Sequence, residues 1–303
     1  MVDSFVSLTY RGVLYHVAGG WRNGRALATP VRRFLFGRHE RQRYTYDMLN
    51  LAQSHRSIRS FTTQNIDDAL LNDLLLSGLR SSSSGNMQTW SVIITRDETN
   101  KRQLYEAHGQ QQMILEAPVF LTFCADVFRM REWLRVNESK QSFDDLLGFL
   151  TGTVDAVIAA QTISLAAESV GLGICYLGTT WWAADRIIDM LALPPGVFPV
   201  TSLVVGYPAE APGLRDRLPL ELLVHQEKYT CLSDAQIRQS HAEREQKAWA
   251  RYNAIESVRQ KLADAGITRV TDYYTSEFKY PKELHLRVSK MLIETLQAQG
   301  LWL

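Results

Sequence analysis

Three short stretches carry side chains that could do chemistry together. His55-Arg56-Ser57-Ile58-Arg59 places an imidazole, two guanidiniums and a hydroxyl within five residues. Ser81 to Ser84, followed by Gly85, Asn86, Met87 and Gln88, is a small-residue loop ending in side-chain amides. Gly213-Leu214-Arg215-Asp216-Arg217 sets two more arginines in a loop framed by glycine and proline, and a forked guanidinium suits a phosphate. Alone, each stretch also reads as a solvated charge cluster or a plain connector. Together they offer cations for a phosphate, hydroxyls for a polyol chain and amides for the edge of a planar heterocycle.

Other chemistries find less support. Gly171 and Gly173 follow a helical pattern instead of a strand and lack a third glycine, so they read as a helix cap and not as a dinucleotide fingerprint. There is no Walker loop, no HExxH and no histidine pair at metal spacing, and no serine or cysteine sits in a nucleophile elbow. His225 and His285 read as ordinary histidines. Cys124, Cys175 and Cys231 are isolated, which fits free thiols in a reducing compartment and supports no zinc site.

The elements that must position these loops follow from periodicity. Ile66, Leu70, Leu71, Leu74 and Leu75 recur at helical spacing and predict a helix over 66–79, capped by Asn65. Trp90–Thr95, Val119–Cys124, Cys175–Leu177 and Thr201–Val205 read as strands. A long buried helix is expected from Asp144 to Val170, ending where Gly171 and Gly173 permit a left-handed cap. Asp185–Leu193 reads as a helix stopped by Pro194 and Pro195, and the chain beyond Tyr229 as helical over 235–265 and 282–299. The longest apolar run, Ala156 to Gly178, contains Gln161 and Glu168 and is expected to be a core helix, not a membrane span. Interleaved helices and strands indicate an α/β or α+β layered fold.

With 303 residues, 46% hydrophobic and 21% charged, the composition is that of an ordinary soluble globular chain. The net charge of +1 gathers neither nucleic acid nor an anionic membrane. Residues 1–46 nevertheless hold eight arginines against Asp3 and Glu40. The stretch 1–47 therefore reads as a basic extension, with an organelle transit peptide, a phosphate-touching arm or an upstream start before Met48 as its alternatives.

Five collinear motifs carry a resemblance. HRSIRSF at His55 to Phe61, RSSSSGNMQTW at Arg80 to Trp90 and AAQTISLAAESVGLGICYLG at Ala159 to Gly178 are followed by VVGYPAEAPGLRDRLP at Val204 to Pro219 and LVHQEKY at Leu223 to Tyr229. In this order they make the chain similar to the FMN-dependent nitroreductase superfamily, closest to its group-A NADPH nitroreductase and flavin reductase branch. The resemblance implies an α+β fold: a three-layer α/β/α sandwich whose central, mainly antiparallel sheet is flanked by helices, in an intertwined homodimer. It implies an FMN-binding core at 48–229 and a helical C-terminal region at 230–303 packing on the core or on the partner.

By the same resemblance each FMN would lie between subunits. His55, Arg56, Ser57 and Arg59 would come from one chain, with Arg56 on the phosphate and Arg59 beside the N1/O2 edge of the ring, giving electrostatic support. Ser82, Ser83, Ser84 and Asn86 would come from the other chain, and Gln88 is a further expected cofactor-binding residue. Gln111, flanked by Gln110 and Gln112 as alternative registers, would meet the pyrimidine edge. Tyr176, Leu177 and Gly178 would run along the N5 side, and Arg215 and Arg217 would complete the phosphate site. The implied reaction is ping-pong hydride transfer from NADPH or NADH through flavin N5 to nitroaromatics, quinones or free flavin. No catalytic side chain, metal, membrane or nucleic acid is implied, and the expected location is cytoplasmic, with organelle targeting by the arginine-rich N-terminus as the alternative. The group-A basic pair for the NADPH 2′-phosphate has no adjacent counterpart near Thr268 to Tyr280, where only Arg269 and Lys279 stand. Trp181 and Trp182 would narrow the acceptor pocket or pack the interface. A specialised flavin enzyme (dehalogenation, flavin destruction, oxidation of a biosynthetic intermediate) and a flavin-binding regulatory protein whose basic arm touches nucleic acid are the alternatives.

Overall fold

The structure is a computed structural model that describes residues 47–302 in full, together with the backbone of four N-terminal strands. These are β1 (Val6–Tyr10) with β2 (Val13–Val17), and β3 (Trp21–Arg22) with β4 (Arg25–Ala26), two antiparallel pairs. The eight arginines of the basic extension have side chains outside the described residues. The chain divides into two units, Met1–Ser54 and His55–Leu303. Residues 47–53 are helical (α1).

In the larger unit, β5 (Trp90–Thr95), β6 (Val119–Asp126), β7 (Gly173–Leu177) and β8 (Val197–Gly206) form one sheet in the order β5-β6-β8-β7, every neighbour antiparallel. Side chains alternate across its faces. Leu121, Phe123, Ile174, Leu203 and Val205 enter one core, with α2 (Asp68–Gly78) and α6 (Leu146–Ser169). Phe120, Cys175, Leu177 and Val204 enter a second core, with α3 (Glu98–Ala107), α4 (Met113–Glu116) and Ile187 of α7 (Ala184–Met190). Two cores on the two faces of one sheet make the expected three layers, and the fold is α+β. After α5 (Phe128–Val136) and the sheet, α8 (Asp234–Asn253), α9 (Glu256–Asp264), α10 (Val270–Thr275) and α11 (Lys282–Ala298) complete the chain.

Four expectations are corrected. The cap of α2 is Asp67, not Asn65: its carboxylate accepts from Leu70 N at 2.7 Å, while Ile66 before it and Leu71 after it are both buried in the first core. Gly171 does provide the left-handed turn after α6, at φ +82°, but Gly173 opens β7 instead. A Cβ on Gly173 would stand 2.7 Å from Ile58 Cγ1, so the missing side chain is what lets the segment around Ile58 lie against the strand. The helix expected over 235–265 breaks at Ala254 and Ile255, and α7 ends at Met190, three residues before Leu193.

Among the described residues, α6 is long and apolar enough to cross a membrane by length and composition. Its Ala156, Ala159, Ala160, Ile163 and Ala167 are buried in the first core, the signature of a central helix. The other side of α6 is different. Leu147, Leu150, Val154, Val157 and Ile158 recur along it, all large, apolar and exposed.

Candidate functional site

The segment 55–62 is pinned along the β7 edge of the sheet. Ile58 N donates to Ile174 O, Thr62 N to Tyr207 O and Ala209 N to Ser60 O, each at 2.9 Å, while Ile58 and Phe61 are buried beneath. His55 and Arg56 are left half-buried and Arg59 exposed. His55 Nδ1 lies 2.7 Å from Glu168 Oε1, near the end of α6. Arg56 Nη1 donates to Pro212 O at 3.1 Å, tying this segment to the loop after β8. Glu210 of that loop accepts from Arg59 N at 2.5 Å and Ser60 N at 3.1 Å. The Ser57 hydroxyl bonds to the Cys175 thiol, which burial pushes above its ordinary pKa while nearby Arg59 opposes the shift.

These constraints aim Arg59 into a cavity of about 1110 Å³ that Arg215 and Arg217 also line. Arg244 and Arg251 from α8 and Lys279 join them, against Asp216 and Glu245. Three of the expected cations thus converge on one basic hollow, and Arg56 lies on the loop beside it.

The serine loop is built around a residue that the sequence reading missed. Asp155, on α6, is fully buried and accepts from Ser83 Oγ (2.8 Å), Ser84 N (2.9 Å), Thr89 N (3.1 Å) and Thr89 Oγ1 (2.9 Å). Ser83 Oγ in turn accepts from Gln88 N at 2.7 Å. The hydroxyl of Ser83 is therefore used to shape the loop, leaving exposed Ser82, Asn86 and Gln88 and half-buried Ser84 at its surface. Gly85, Asn86 and Gln88 all take positive φ, at 56°, 56° and 53°. An acid inside the apolar run from Leu146 to Ala160 was the available signal for Asp155.

Gln111 donates through Nε2 to His108 O and Thr179 Oγ1, both at 3.0 Å, and His108 Nδ1 lies 2.8 Å from the same hydroxyl. Thr179 follows Gly178, so this network ties Gln111 to the end of β7. Tyr176 turns toward α6, where Ser164 Oγ lies 3.0 Å from its Oη, and Leu177 turns into the second core. What this stretch can offer a flat ligand is backbone, together with the open space beside Gly178, where a Cβ would meet nothing within 4 Å. Of the paired tryptophans, Trp182 packs edge-on to Tyr280 and His285, at 6.1 and 6.4 Å between ring centroids. Trp181 is 44% exposed. Among the described residues no group of His, Cys, Asp and Glu converges as a metal site would require.

His108 gives the first testable consequence. It is fully buried, and burial first, then the Arg186 charge, lowers its pKa from 6.5 to about 4. Below pH 6.5 the unfolded chain takes up a proton that the folded chain refuses until about pH 4. Stability from this group is therefore complete above pH 6.5 and declines by about 3 kcal/mol as the pH falls to 4. Urea unfolding at pH 7, 5.5 and 4 should show the decline, and His108→Gln should flatten it. A parallel pH dependence in the variant would remove His108 as its source.

Within the chain the serine loop and the arginine segment are held apart. Asp155 anchors the serine loop and Glu168 meets His55, thirteen residues further along α6, which is roughly 20 Å at 1.5 Å per residue. The serine loop leads into β5 and the arginine segment runs beside β7, the opposite edges of the sheet.

Residues 52–207 match the profile of the Nitroreductase family. Over 185 residues the chain is 36% identical to a Bacillus subtilis (strain 168) protein named FMN reductase (NADPH), covering 60% of this chain and 74% of that one. Over 190 residues it is 34% identical to the oxygen-insensitive NADPH nitroreductase of Salmonella typhimurium, covering 61% and 76%. The solved structure of the NfrA1 nitroreductase from B. subtilis superposes with a TM-score of 0.71 at 27% identity, over 84% of this chain and 98% of that one.

Proposed function

The chain belongs to the nitroreductase family, and on that premise we propose how this NAD(P)H-dependent FMN oxidoreductase uses its own residues. FMN, when bound, would supply the hydride chemistry between NAD(P)H and an acceptor. The donor set fits that group. Arg215 and Arg217 carry the charge for its phosphate, with Arg56 on the adjoining loop. Ser82, Ser84, Asn86 and Gln88 present hydroxyls and amides for the polyol chain and ring edge, Gln111 an amide for the pyrimidine edge, and Gly178 the clearance for a ring. The convergence of Arg59, Arg215 and Arg217 on one cavity carries this reading.

The separation of the serine loop from the arginine segment supports a homodimer in which each centre takes one half from each chain. The exposed apolar row on α6 supplies the contact surface that such a dimer needs. The acceptors we assign are nitroaromatics, quinones and free flavin, with Trp181 as a flat wall for stacking. Three free thiols, Cys124, Cys175 and Cys231, accord with a cytoplasmic setting. The basic extension 1–47 stands outside this chemistry, the FMN-binding core spans 48–229, and the helices of 230–303 close over the cavity.

The test is the visible spectrum of the purified protein, repeated after anaerobic NADPH and then NADH. Bleaching of a flavin spectrum is the expected result. A flavin that neither nucleotide bleaches would favour a specialised reaction with another electron source, and a colourless protein that refuses FMN would overturn the reading. Arg59→Ala is expected to lower the reduction potential of the bound flavin and to slow its reduction about tenfold, an exposed guanidinium delivering less than a buried donor. An unchanged potential in a redox titration would remove that role.

A further inference from the structure

Gln111 is held by two hydrogen bonds that use up one end of its side chain. The end of α3 makes this possible. The chain reverses there through Gly109 and Gln110, at φ +69° and +60°, with Gln110 N donating to Tyr105 O at 2.8 Å. Gln110 Nε2 turns away to Glu106 Oε2 at 2.9 Å and Gln112 is exposed, but Gln111 folds back over the carbonyl of His108. Its Nε2 donates to His108 O and to Thr179 Oγ1, both at 3.0 Å. A carbonyl oxygen only accepts, so the nitrogen of this amide must face it and the amide cannot be turned end for end. Thr179 Oγ1, having accepted from Gln111, has its own hydrogen to place, and His108 Nδ1, 2.8 Å away, is the acceptor it meets. His108 therefore carries its proton on Nε2, which is buried without a partner among the described residues. The other tautomer would leave both Nε2 and the threonine hydrogen unpaired. Burial, ahead of the Arg186 charge, also keeps this ring neutral, with its pKa down at about 4.

We infer that Thr179, backed by His108, is a positioning residue that fixes the polarity of the Gln111 amide, so that this chain meets the pyrimidine edge of the flavin with an acceptor and reads its ring N–H. The inference rests on the flavin reading above. With both amide hydrogens spent, Oε1 is the free end of Gln111, and it carries no hydrogen bond among the described residues. The pyrimidine edge presents two carbonyl oxygens and, between them, a single donor, N3–H. An amide oxygen facing either carbonyl is repelled, whereas facing N3–H it is satisfied. Thr179 directly follows Gly178, where a Cβ would meet nothing within 4 Å, so the lock adjoins in sequence the clearance assigned to the ring. The bonds run from a buried imidazole through a hydroxyl to an amide, and each member sets the direction of the next. A glutamine without them would have to give up its rotamer freedom when the ring arrives.

Full-length protein freed of flavin would be titrated, by flavin fluorescence, with FMN and with 3-methyl-FMN, in which a methyl group replaces the N3 hydrogen. Wild type, Thr179→Val, Thr179→Ser and His108→Phe would be compared, with Thr99→Val, at an exposed position of α3, as the unaffected control. The wild type should bind FMN about tenfold more tightly than 3-methyl-FMN, or better. Thr179→Val, which keeps the shape and removes the hydroxyl, should weaken FMN about fivefold and 3-methyl-FMN by less than about twofold. Thr179→Ser should restore the wild-type preference, and His108→Phe should follow Thr179→Val; the threonine pair decides where His108→Phe does not fold. Equal losses with the two flavins, a valine variant that matches the wild type, a serine variant no better than the valine one, or a wild type that binds both flavins alike would each overturn the inference while leaving the flavin reading intact. If the wild type binds neither flavin, the functional reading fails and the inference with it.

Discussion

Asp155→Ala is expected to lower folding stability by about 3–5 kcal/mol and, where the chain stays folded, to weaken FMN binding tenfold or more. The carboxylate is fully buried and no cation pairs with it among the described residues; two backbone N–H groups and two hydroxyls hold it instead. Removing it strands Ser84 N and Thr89 N, neither of which can rotate toward another acceptor, at about 1–3 kcal/mol each. The loop from Ser83 to Gln88 also contains three departures into positive φ, at Gly85, Asn86 and Gln88, so it has little reason to keep its shape without that anchor. Asp155→Asn should be intermediate, because an amide keeps one acceptor but turns a donor toward donors. Urea midpoints and FMN fluorescence titrations measure both effects. A variant as stable as the wild type would show that the loop is held by something else.

Val154→Glu is expected to yield a monomer and a colourless protein in a single step. Val154 is 52% exposed in the protomer, so folding of the isolated chain should tolerate the charge. A carboxylate in the middle of the apolar row on α6 would have to be desolvated on association, at a cost of several kcal/mol without a partner. Light scattering after gel filtration gives the mass, and absorbance of the same peak gives the flavin. A monomer that retains flavin would overturn the shared site, and a dimer that retains flavin would move the interface off this helix.

Much of the architecture was legible because it is written in local periods. Trp90–Thr95 is a strand with the bounds its β-branched and aromatic run predicts, and the α6 helix is within two residues of its expected ends. The errors have particular causes. Strand β6 continues through Ala125 and Asp126, which carry no strand signal and are ordered by pairing with Phe198 and Val197. Asn65 and Asp67 are equivalent caps by type, and the burial of Ile66 and Leu71 decides between them. The break at Ala254–Ile255 has no glycine or proline to announce it. At the candidate site, the arginines, serines and Gln111 could be picked out as runs, because each lies in a short loop. Asp155 could not be paired with Ser83 and Thr89 across 72 and 66 residues, nor Arg244 with Arg59 across a far longer span, since only the folded layers bring them together.

The diagonal placement of the serine loop and the arginine segment has a genetic consequence. If each centre draws its halves from different chains, lesions in the two halves are complementary, not additive. A chain carrying Asp155→Ala still has a sound arginine segment, and a chain carrying Arg59→Ala still has a sound serine loop. Each is impaired alone. Mixed at random, half of their dimers would be hybrids, and each hybrid would assemble one intact centre and one doubly damaged one, returning about a quarter of the wild-type centres. Co-expression of two defective alleles would then rescue activity that neither allele provides, and the recovered fraction would count the centres built across the subunit boundary.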